Sequence, residues 1–239
     1  LGFRHIDVRP APPALRRDTA AVRLDLSAVA KGHGADAIAV VLAAMGYDDV
    51  LVEIGGEIAA RGTGPDGRAW RIGVESPLPG AGPAAAAAPD IALGGRGGPG
   101  APTVSAMLEV KDVGIATSGD YRNFFVHGER RYSHLLDPRT GRPVAHDLAA
   151  VTVVAASTAL ADAWATALLV LGPEAGPRVA AANGVAALFA RRSAGDGGRG
   201  AVSLQMEASA AMAPYLLRAP GTADAPRASG TAPGQRPRA

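Results

Sequence analysis

The sequence predicts an α+β fold in which antiparallel sheets pack with helices, and three observations support this prediction. Short segments rich in apolar and β-branched residues recur along the chain, as at Val50–Ile54 and Trp70–Glu75. Turn residues such as Gly128-Glu129 separate neighbouring segments closely enough for hairpins. The helical patterns come in separate blocks, whereas a parallel sheet would need a helix between successive strands.

Each element is predicted from its own pattern of apolar residues. The predicted strands are Val22–Ser27, Val50–Ile54, Ile58–Arg61, Trp70–Glu75, Met107–Lys111, Gly114–Thr117, Tyr121–His127, Arg130–His134, Val151–Ala155, Val185–Ala190 and Ala201–Met206. Helices are predicted from Ala35 to Met45, around Asp162, and over Glu174–Ala182 beyond a break at Gly172-Pro173.

One domain is expected over residues 1–217. Within it, residues 77–102 are dominated by Pro, Gly and Ala, so we expect a low-complexity insertion that does not pack. Residues 218–239 have a similar composition and are predicted to be a disordered tail. The chain begins at Leu1 rather than at a methionine, and we expect that an N-terminal part is missing.

The composition excludes several kinds of protein. Its 24 basic and 22 acidic residues leave a net charge of +2, so nothing indicates a nucleic-acid partner. The absence of cysteine excludes disulfides, thiolate nucleophiles and cysteine-ligated metals. No apolar run approaches the roughly 18 residues that a membrane-spanning helix needs.

Asp162 and Thr166 form a candidate metal-ligand pair on a helix. They lie four residues apart, so their side chains share one face, about 200° around from Leu160 and Trp164. Helical spacing predicts that Leu160, Trp164, Leu168 and Leu171 face the core. A carboxylate and a hydroxyl at one point suit Mg²⁺ when phosphate supplies other ligands. The same spacing also fits an ordinary polar helix face.

Lys31-Gly32-His33-Gly34 lies between a predicted strand and a predicted helix. Glycines at a helix N-terminus would expose backbone N–H groups to an anion, and Lys31 would add a positive charge. The segment matches neither the Walker A nor the GxGxxG pattern, and a flexible turn with a solvated lysine is the alternative. Asp25, in the preceding strand, either accepts a hydrogen bond from a ligand or caps the turn.

Two later segments end strands with residues suited to a ligand. Thr117-Ser118-Gly119-Asp120-Tyr121 combines small hydroxyl residues with a glycine, which would let a ligand approach the backbone, although an ordinary turn has the same composition. His134 stands at a strand end before a turn predicted at Asp137–Gly141, where a structural role is also open. Glu53 and Glu57 flank Gly55-Gly56, but their spacing does not establish a carboxylate pair.

Five blocks of the sequence occur in the order seen in the ApbE-like family, the FAD:protein FMN transferases once labelled thiamine-biosynthesis lipoproteins. The blocks are Asp25-Leu26-Ser27 with Lys31-Gly32, then Gly55-Gly56, then Thr117–Tyr121, then Ser133–Pro143, and finally Ala161–Thr166. Each block alone is unremarkable, but five in order are hard to obtain by chance. The sequence therefore resembles this family from about Leu24 to Gly172, apart from the low-complexity insertion.

The resemblance implies a divalent cation, normally Mg²⁺, that grips the pyrophosphate of FAD. Asp162 and Thr166 match the family's side-chain metal ligands, and Ala28 matches a ligand that acts through its backbone carbonyl. The positions that match the FAD site are Asp25, Lys31, Ser118 and Leu136, with Thr117-Ser118 similar to a flavin-contacting turn.

The resemblance also implies the reaction. A Thr or Ser hydroxyl of a target flavoprotein attacks the FMN phosphorus of FAD, AMP leaves, and FMN stays attached through a phosphoester. Such a transfer depends on positioning and charge neutralisation, so the metal and Lys31 should contribute most. His134 is the candidate general base, because histidine exchanges protons readily near neutral pH, but it could equally hold the Asp137 turn.

Two departures from the family pattern and two other activities remain open. The usual Gly-Gly-Asp reads Gly55-Gly56-Glu57, and the family's N-terminal portion, which supplies part of the FAD pocket, is expected to be missing. The alternatives are a Mg²⁺-dependent FAD pyrophosphatase and a non-catalytic flavin-binding module. Many members are lipoproteins outside the bacterial inner membrane, so we expect a periplasmic protein whose only membrane contact is an N-terminal lipid anchor.

Overall fold

The computed structural model describes residues 2–78, 104–120, 124–127, 130–194 and 202–217. Most of the predicted insertion at 77–102, the predicted Gly128-Glu129 turn and the predicted disordered tail at 218–239 lie outside the described residues. Neither helix within the described ranges combines the length and apolar character that crossing a bilayer requires.

The described residues form short strands and two long helices. The strands are β1 (Ile6–Arg9), β2 (Ala14–Arg17), β3 (Val50–Ile54), β4 (Glu57–Arg61), β5 (Trp70–Glu75), β6 (Val104–Val110), β7 (Val113–Gly119), β8 (Phe124–His127), β9 (Arg130–Ser133), β10 (Leu136–Asp137), β11 (Arg142–Pro143), β12 (Leu148–Ala155), β13 (Ala186–Ala194) and β14 (Val202–Ala208). The helices are α1 (Ser27–Ala44) and α2 (Thr158–Ala182), with short 3-10 helices at Gly2–His5 and Ala210–Tyr215.

Antiparallel pairing organises all the described strands. Six of them form one sheet in the order β14-β13-β12-β7-β4-β3, and the others form the two-stranded sheets β1-β2, β5-β6, β8-β9 and β10-β11. The α+β prediction, with antiparallel sheets packed against helices, is therefore confirmed. The predicted strands Val50–Ile54 and Trp70–Glu75 agree with β3 and β5 residue for residue.

Both helices pack against one face of the six-stranded sheet. α1 lies over β3 and β4, and α2 lies over β7 and β12. Beneath α1, Ala35 and Ala39 pack with Val52 and Ala59. The larger core beneath α2 contains Val151, Ala161, Ala165, Leu168, Leu169 and Phe189.

The opposite face of the sheet is covered by the two-stranded β5-β6 sheet and by the second 3-10 helix. Their contact with the sheet joins Ile58 and Ile115 to Ile72, Leu108 and Met212, all of them at most 2% exposed. Burial of such aliphatic side chains is the main stabilising contribution in a core of this kind. The sheet is therefore the middle of three layers.

The predicted strand Val22–Ser27 is wrong. Residues 22–26 have no regular structure, and helix α1 begins at Ser27. The local reason is Asp25, whose carboxylate accepts hydrogen bonds from the Ser27 backbone N–H at 2.8 Å and from its hydroxyl at 2.5 Å. This local bonding competes with a strand ladder and starts the helix eight residues before the predicted Ala35.

The Lys31–Gly34 segment is accordingly inside α1 and does not precede it, so the predicted exposed N–H groups of a helix start do not lie there. Gly32 serves close helix packing instead. A Cβ atom at Gly32 would lie 2.4 Å from the Thr158 carbonyl oxygen of α2. Only a glycine lets the two helices approach this closely.

The predicted orientation of the Asp162 helix is right in part. Leu168 is fully buried, and Trp164 and Leu171 pack against the same core, as predicted. Leu160, however, is 47% exposed, and Asp162 is only 3% exposed. The sheet and α1 both contact the face of α2 that carries Asp162, Ala161 and Ala165, so the polar pair points inward. The predicted helix break is confirmed, because Gly172 has a φ of 82° and separates two helical stretches.

Candidate functional site

A pocket of about 560 Å³ lies where α1, α2, β7 and the β3-β4 turn meet. All the site residues predicted from the sequence line it, namely Asp25, Ala28, Lys31, Ser118, His134, Leu136, Asp162 and Thr166. Its apolar wall comes from Ile58, Ile72, Val74 and Ile115. The fold therefore brings together residues that are separated by up to 141 positions in the sequence.

Asp162 is fixed against α1 in the buried part of the pocket. Its Oδ2 atom accepts a hydrogen bond from the Gly32 backbone N–H at 3.1 Å. In a regular helix that N–H points to the carbonyl of the residue four positions earlier, which is Ala28. The Asp162 carboxylate and the Ala28 carbonyl oxygen are thus both directed toward the Gly32 N–H group.

The hydroxyl of Thr166 lies one turn further along α2 and contacts the sheet. Its Oγ1 atom is 2.9 Å from the Ser118 Oγ atom. Ser118 belongs to strand β7, so the predicted turn at Thr117-Ser118 is a strand end. Beside it, the Thr117 and Thr152 hydroxyls lie 2.8 Å apart across the β7-β12 pair.

Lys31 forms an ion pair that the sequence prediction missed. Its Nζ atom donates to Glu57 Oε1 at 2.7 Å, and the two side chains are 47% and 2% exposed, respectively. The second oxygen, Glu57 Oε2, is buried and has no hydrogen-bond partner among the described residues. Burial raises the pKa of Glu57, while the Lys31 ammonium acts in the opposite direction.

Asp25 caps the start of α1 and lines the pocket at the same time. Its hydrogen bonds with Ser27 hold the pKa of the carboxyl below its usual range. The capping alternative considered for Asp25 is thus what the structure contains, and its pocket position leaves a contact with a ligand open. This cap fixes where the Ala28 turn begins.

His134 lies on the loop from β9 to β10, Leu136 is the first residue of β10, and both are exposed. The adjoining turn is held by its own hydrogen bonds, because the Asp137 carbonyl accepts from the Gly141 N–H at 2.8 Å. Arg139 adds charged contacts to the Asp137 carboxylate and holds the pKa of this carboxyl below its usual range.

Glu57 could have been found from periodicity. Lys31, Ala35 and Ala39 repeat every four residues and so share a face of α1, while Glu57 and Ala59 share a face of β4. On each element, a charged residue (Lys31 on α1, Glu57 on β4) stands at the end of a row of small apolar residues. Glu53 and Glu75 also line the pocket, but no local pattern distinguished them.

The described residues contain no group of three or more His, Asp or Glu side chains placed to hold a metal. The donors at this pocket are different in kind: one buried carboxylate, one hydroxyl and one backbone carbonyl. Hard oxygen donors of this number fit Mg²⁺, which keeps several ligand positions for water or phosphate.

The fold and the pocket define a class of α+β protein with a polar, oxygen-lined site between two helices and a strand end. The chain belongs to the ApbE family, whose model matches residues 1–189.

Two curated relatives illustrate this membership. The chain is 38% identical over 188 residues to the FAD:protein FMN transferase of Vibrio cholerae, covering 79% of this chain and 50% of the relative. It is 34% identical over 187 residues to the Escherichia coli enzyme of the same name, covering 77% and 48%. The chain thus spans about half the length of the curated relatives it matches.

Solved structures agree with the fold. The flavin transferase ApbE from Vibrio cholerae superposes with a TM-score of 0.68 at 34% identity, covering 90% of this chain and 59% of the other. The flavinyl transferase ApbE from Pseudomonas stutzeri, in its apo form, gives a TM-score of 0.67 at 36% identity, covering 88% and 56%.

Proposed function

We propose that this chain carries the site for transferring FMN from FAD to a Thr or Ser hydroxyl of a target flavoprotein, with release of AMP. The observation that carries the proposal is that Asp162, Thr166, Ala28 and Lys31 all line one pocket. The names of the relatives support flavin transfer as the reaction.

The charge of the pocket supports a metal-dependent reaction. Among the described lining residues, Asp25, Glu53, Glu75 and Asp162 carry carboxylates, and Lys31 carries the permanent positive charge. An FAD pyrophosphate would meet net repulsion in this pocket without further cations. Mg²⁺ held by Asp162, Thr166 and Ala28 would neutralise the phosphate charge that develops during transfer.

The residues of the chain supply positioning and proton transfer. Asp162 is oriented by the Gly32 N–H, and Lys31, which lines the pocket, is held by its ion pair with Glu57. The apolar wall of Ile58, Ile72 and Val74 offers a surface for a planar ring and excludes water beside it. His134 is the proposed base that receives the proton of the attacking hydroxyl.

The partner is a flavoprotein subunit that presents this hydroxyl, and we propose a periplasmic location for the reaction. FMN stays bound to the acceptor through a phosphoester, and AMP is the leaving group. If water replaces the hydroxyl, the same site would act as an FAD pyrophosphatase.

The test is AMP release from FAD with Mg²⁺, with and without a Thr-containing acceptor peptide, followed by mass analysis of the peptide. Asp162→Asn keeps an acceptor for the Gly32 N–H but removes the charge, and we expect a loss of about 100-fold or more in the rate. The matched control is Asp147→Asn, because Asp147 pairs with Arg191 at 2.7 Å and does not line the pocket.

Peptide labelled with FMN in the wild type and the control, but not in Asp162→Asn, would support the transferase. AMP and free FMN without labelling would favour the pyrophosphatase. Full labelling by Asp162→Asn would refute the metal assignment, and FAD binding without AMP release would leave a flavin-binding module.

A further inference from the structure

A row of small buried residues on α1 and another on β4 each end in a charged residue beside the pocket. On α1, Ala35 and Ala39 are at most 1% exposed against the sheet, and Lys31 continues their face by one turn. On β4, Ala59 packs in the same cluster, and Glu57 continues its face by two residues. The Lys31–Glu57 pair is therefore the polar end of the α1–sheet contact.

The β3-β4 turn leaves room for this pair. Gly55 has a φ of 62°, and a Cβ atom there would lie 3.3 Å from Lys31 Cδ and 3.7 Å from Glu57 Oε2. A side chain at this position would press on the lysine stem and would also be strained by the positive φ. The turn thus lets the lysine stem cross to the buried carboxylate.

Position 31 carries a lysine in a sequence where nearly all the basic residues are arginines. The sequence has 24 Lys and Arg residues, of which only Lys31 and Lys111 are lysines. An ammonium is a compact charge with three donors, so it can bond one carboxylate oxygen and still donate to a phosphate. A planar guanidinium presents its donors in a fixed fork, so it is less suited to bond one carboxylate oxygen and a phosphate in different directions.

We propose that Glu57 is a positioning residue that holds the Lys31 ammonium in place for a phosphate group of the nucleotide. This inference rests on the proposed function. Glu57 does not line the pocket and acts through Lys31, which does. The carboxylate restrains a long, half-exposed side chain, so the ammonium is held where negative charge develops on the transferring phosphate.

The first test uses the full chain and measures how fast each amine is acetylated, with acetic anhydride as the probe and mass spectrometry as the readout. Glu57→Gln keeps the shape of the side chain but removes its charge. We expect labelling of Lys31 to rise about three- to tenfold, because the ion pair protects the amine. Lys111, exposed at a turn, is the internal reference and should not change.

The matched control variant is Glu109→Gln, because Glu109 approaches Arg71 at 3.9 Å on the two-stranded β5-β6 sheet and does not line the pocket. It should leave Lys31 labelling unchanged. Glu57→Asp, which withdraws the carboxylate by one methylene, is a second variant should Glu57→Gln fold poorly. Wild-type labelling of Lys31 in both Glu57 variants would overturn the proposal and leave the proposed function intact.

Protection of Lys31 from acetylation by FAD distinguishes a failure of this inference from a failure of the proposed function. With Mg²⁺ present, we expect FAD to protect Lys31 of the wild type from labelling. If Glu57→Gln raises labelling but FAD gives no protection, the phosphate assignment falls together with the proposed function. Protection by FAD with a clear effect of Glu57→Gln supports both.

A kinetic cycle distinguishes positioning from a general structural role. We expect Glu57→Gln to lower kcat for AMP release about tenfold without raising KM, because removing a negative charge does not weaken anion binding. Added to Lys31→Met, Glu57→Gln should lower kcat no further, within about twofold. An equal loss in both backgrounds would mean that Glu57 does not act through Lys31 and would overturn the proposal.

Discussion

Replacing Lys31 by Met should destabilise the protein in a strongly pH-dependent way. Glu57 is 2% exposed and would lose its ion-pair partner while staying buried. A buried carboxyl without a partner takes up a proton rather than remaining charged. Proton uptake at pH 7 by a group whose ordinary pKa is 4.5 costs about 3.4 kcal/mol, which sets the upper limit of the loss.

The sign of the pH dependence follows from proton counts. In Lys31→Met, the folded state would bind a proton at Glu57 that the unfolded state has already released above pH 4.5. Stability relative to the wild type therefore falls as pH rises, and the same calculation gives a limit of only about 0.7 kcal/mol at pH 5. At pH 7 the loss corresponds to a decrease in Tm of up to about 7–14 °C.

The assay is urea and thermal unfolding, followed by circular dichroism at pH 5 and pH 7, for the wild type, Lys31→Met and Lys31→Met with Glu57→Gln. The double variant has no buried ionisable group at this position, so it should recover most of the stability at pH 7 and lose the pH dependence. Equal destabilisation by Lys31→Met at both pH values, or no recovery in the double variant, would refute the reasoning.

Other changes at the α1–α2 contact lead to further expectations. Asp36→Ala should lower the free energy of unfolding by about 1–3 kcal/mol. The Asp36 carboxylate accepts hydrogen bonds from the Thr158 and Ala159 N–H groups at 2.9 Å each and so caps α2. Urea unfolding measures this loss, and an unchanged midpoint would contradict the role of the cap. Gly32→Ala should cost about 1–3 kcal/mol or more and weaken FAD binding, because its Cβ would meet the Thr158 backbone at 2.4 Å and push the helices apart. Gly34→Ala is the control, since its Cβ would meet only the Ile54 side chain at 3.1 Å, and equal losses in the two variants would argue against a special role for Gly32.

Local patterns predicted much of the fold. The strands β3 and β5 were predicted residue for residue, and the break at Gly172 was recognised from the Gly-Pro pair. These elements are set by apolar runs and by backbone chemistry, which act over a few residues. The strand predicted at Val22–Ser27 failed because the Asp25 side chain bonds the backbone locally and begins a helix.

The orientation of α2 shows the limit of such patterns. The apolar spacing correctly predicted that Trp164 and Leu168 pack in the core, yet Leu160 is exposed and Asp162 is buried. Hydrophobic spacing identifies a helix, but which face is covered depends on the neighbouring elements. Here α1 approaches through Gly32, so the covered face of α2 is the one with small residues and an aspartate.

The sequence by itself determined the fold class, the family and eight of the residues that line the pocket, because motif order and residue chemistry are readable along the chain. Only the tertiary structure decided that Asp162 meets the Gly32 N–H, that Thr166 meets Ser118, and that Lys31 is paired with Glu57. These contacts join positions 26 to 130 residues apart. Such pairs form only when the helices and the sheet pack, and no local pattern encodes the distances between them.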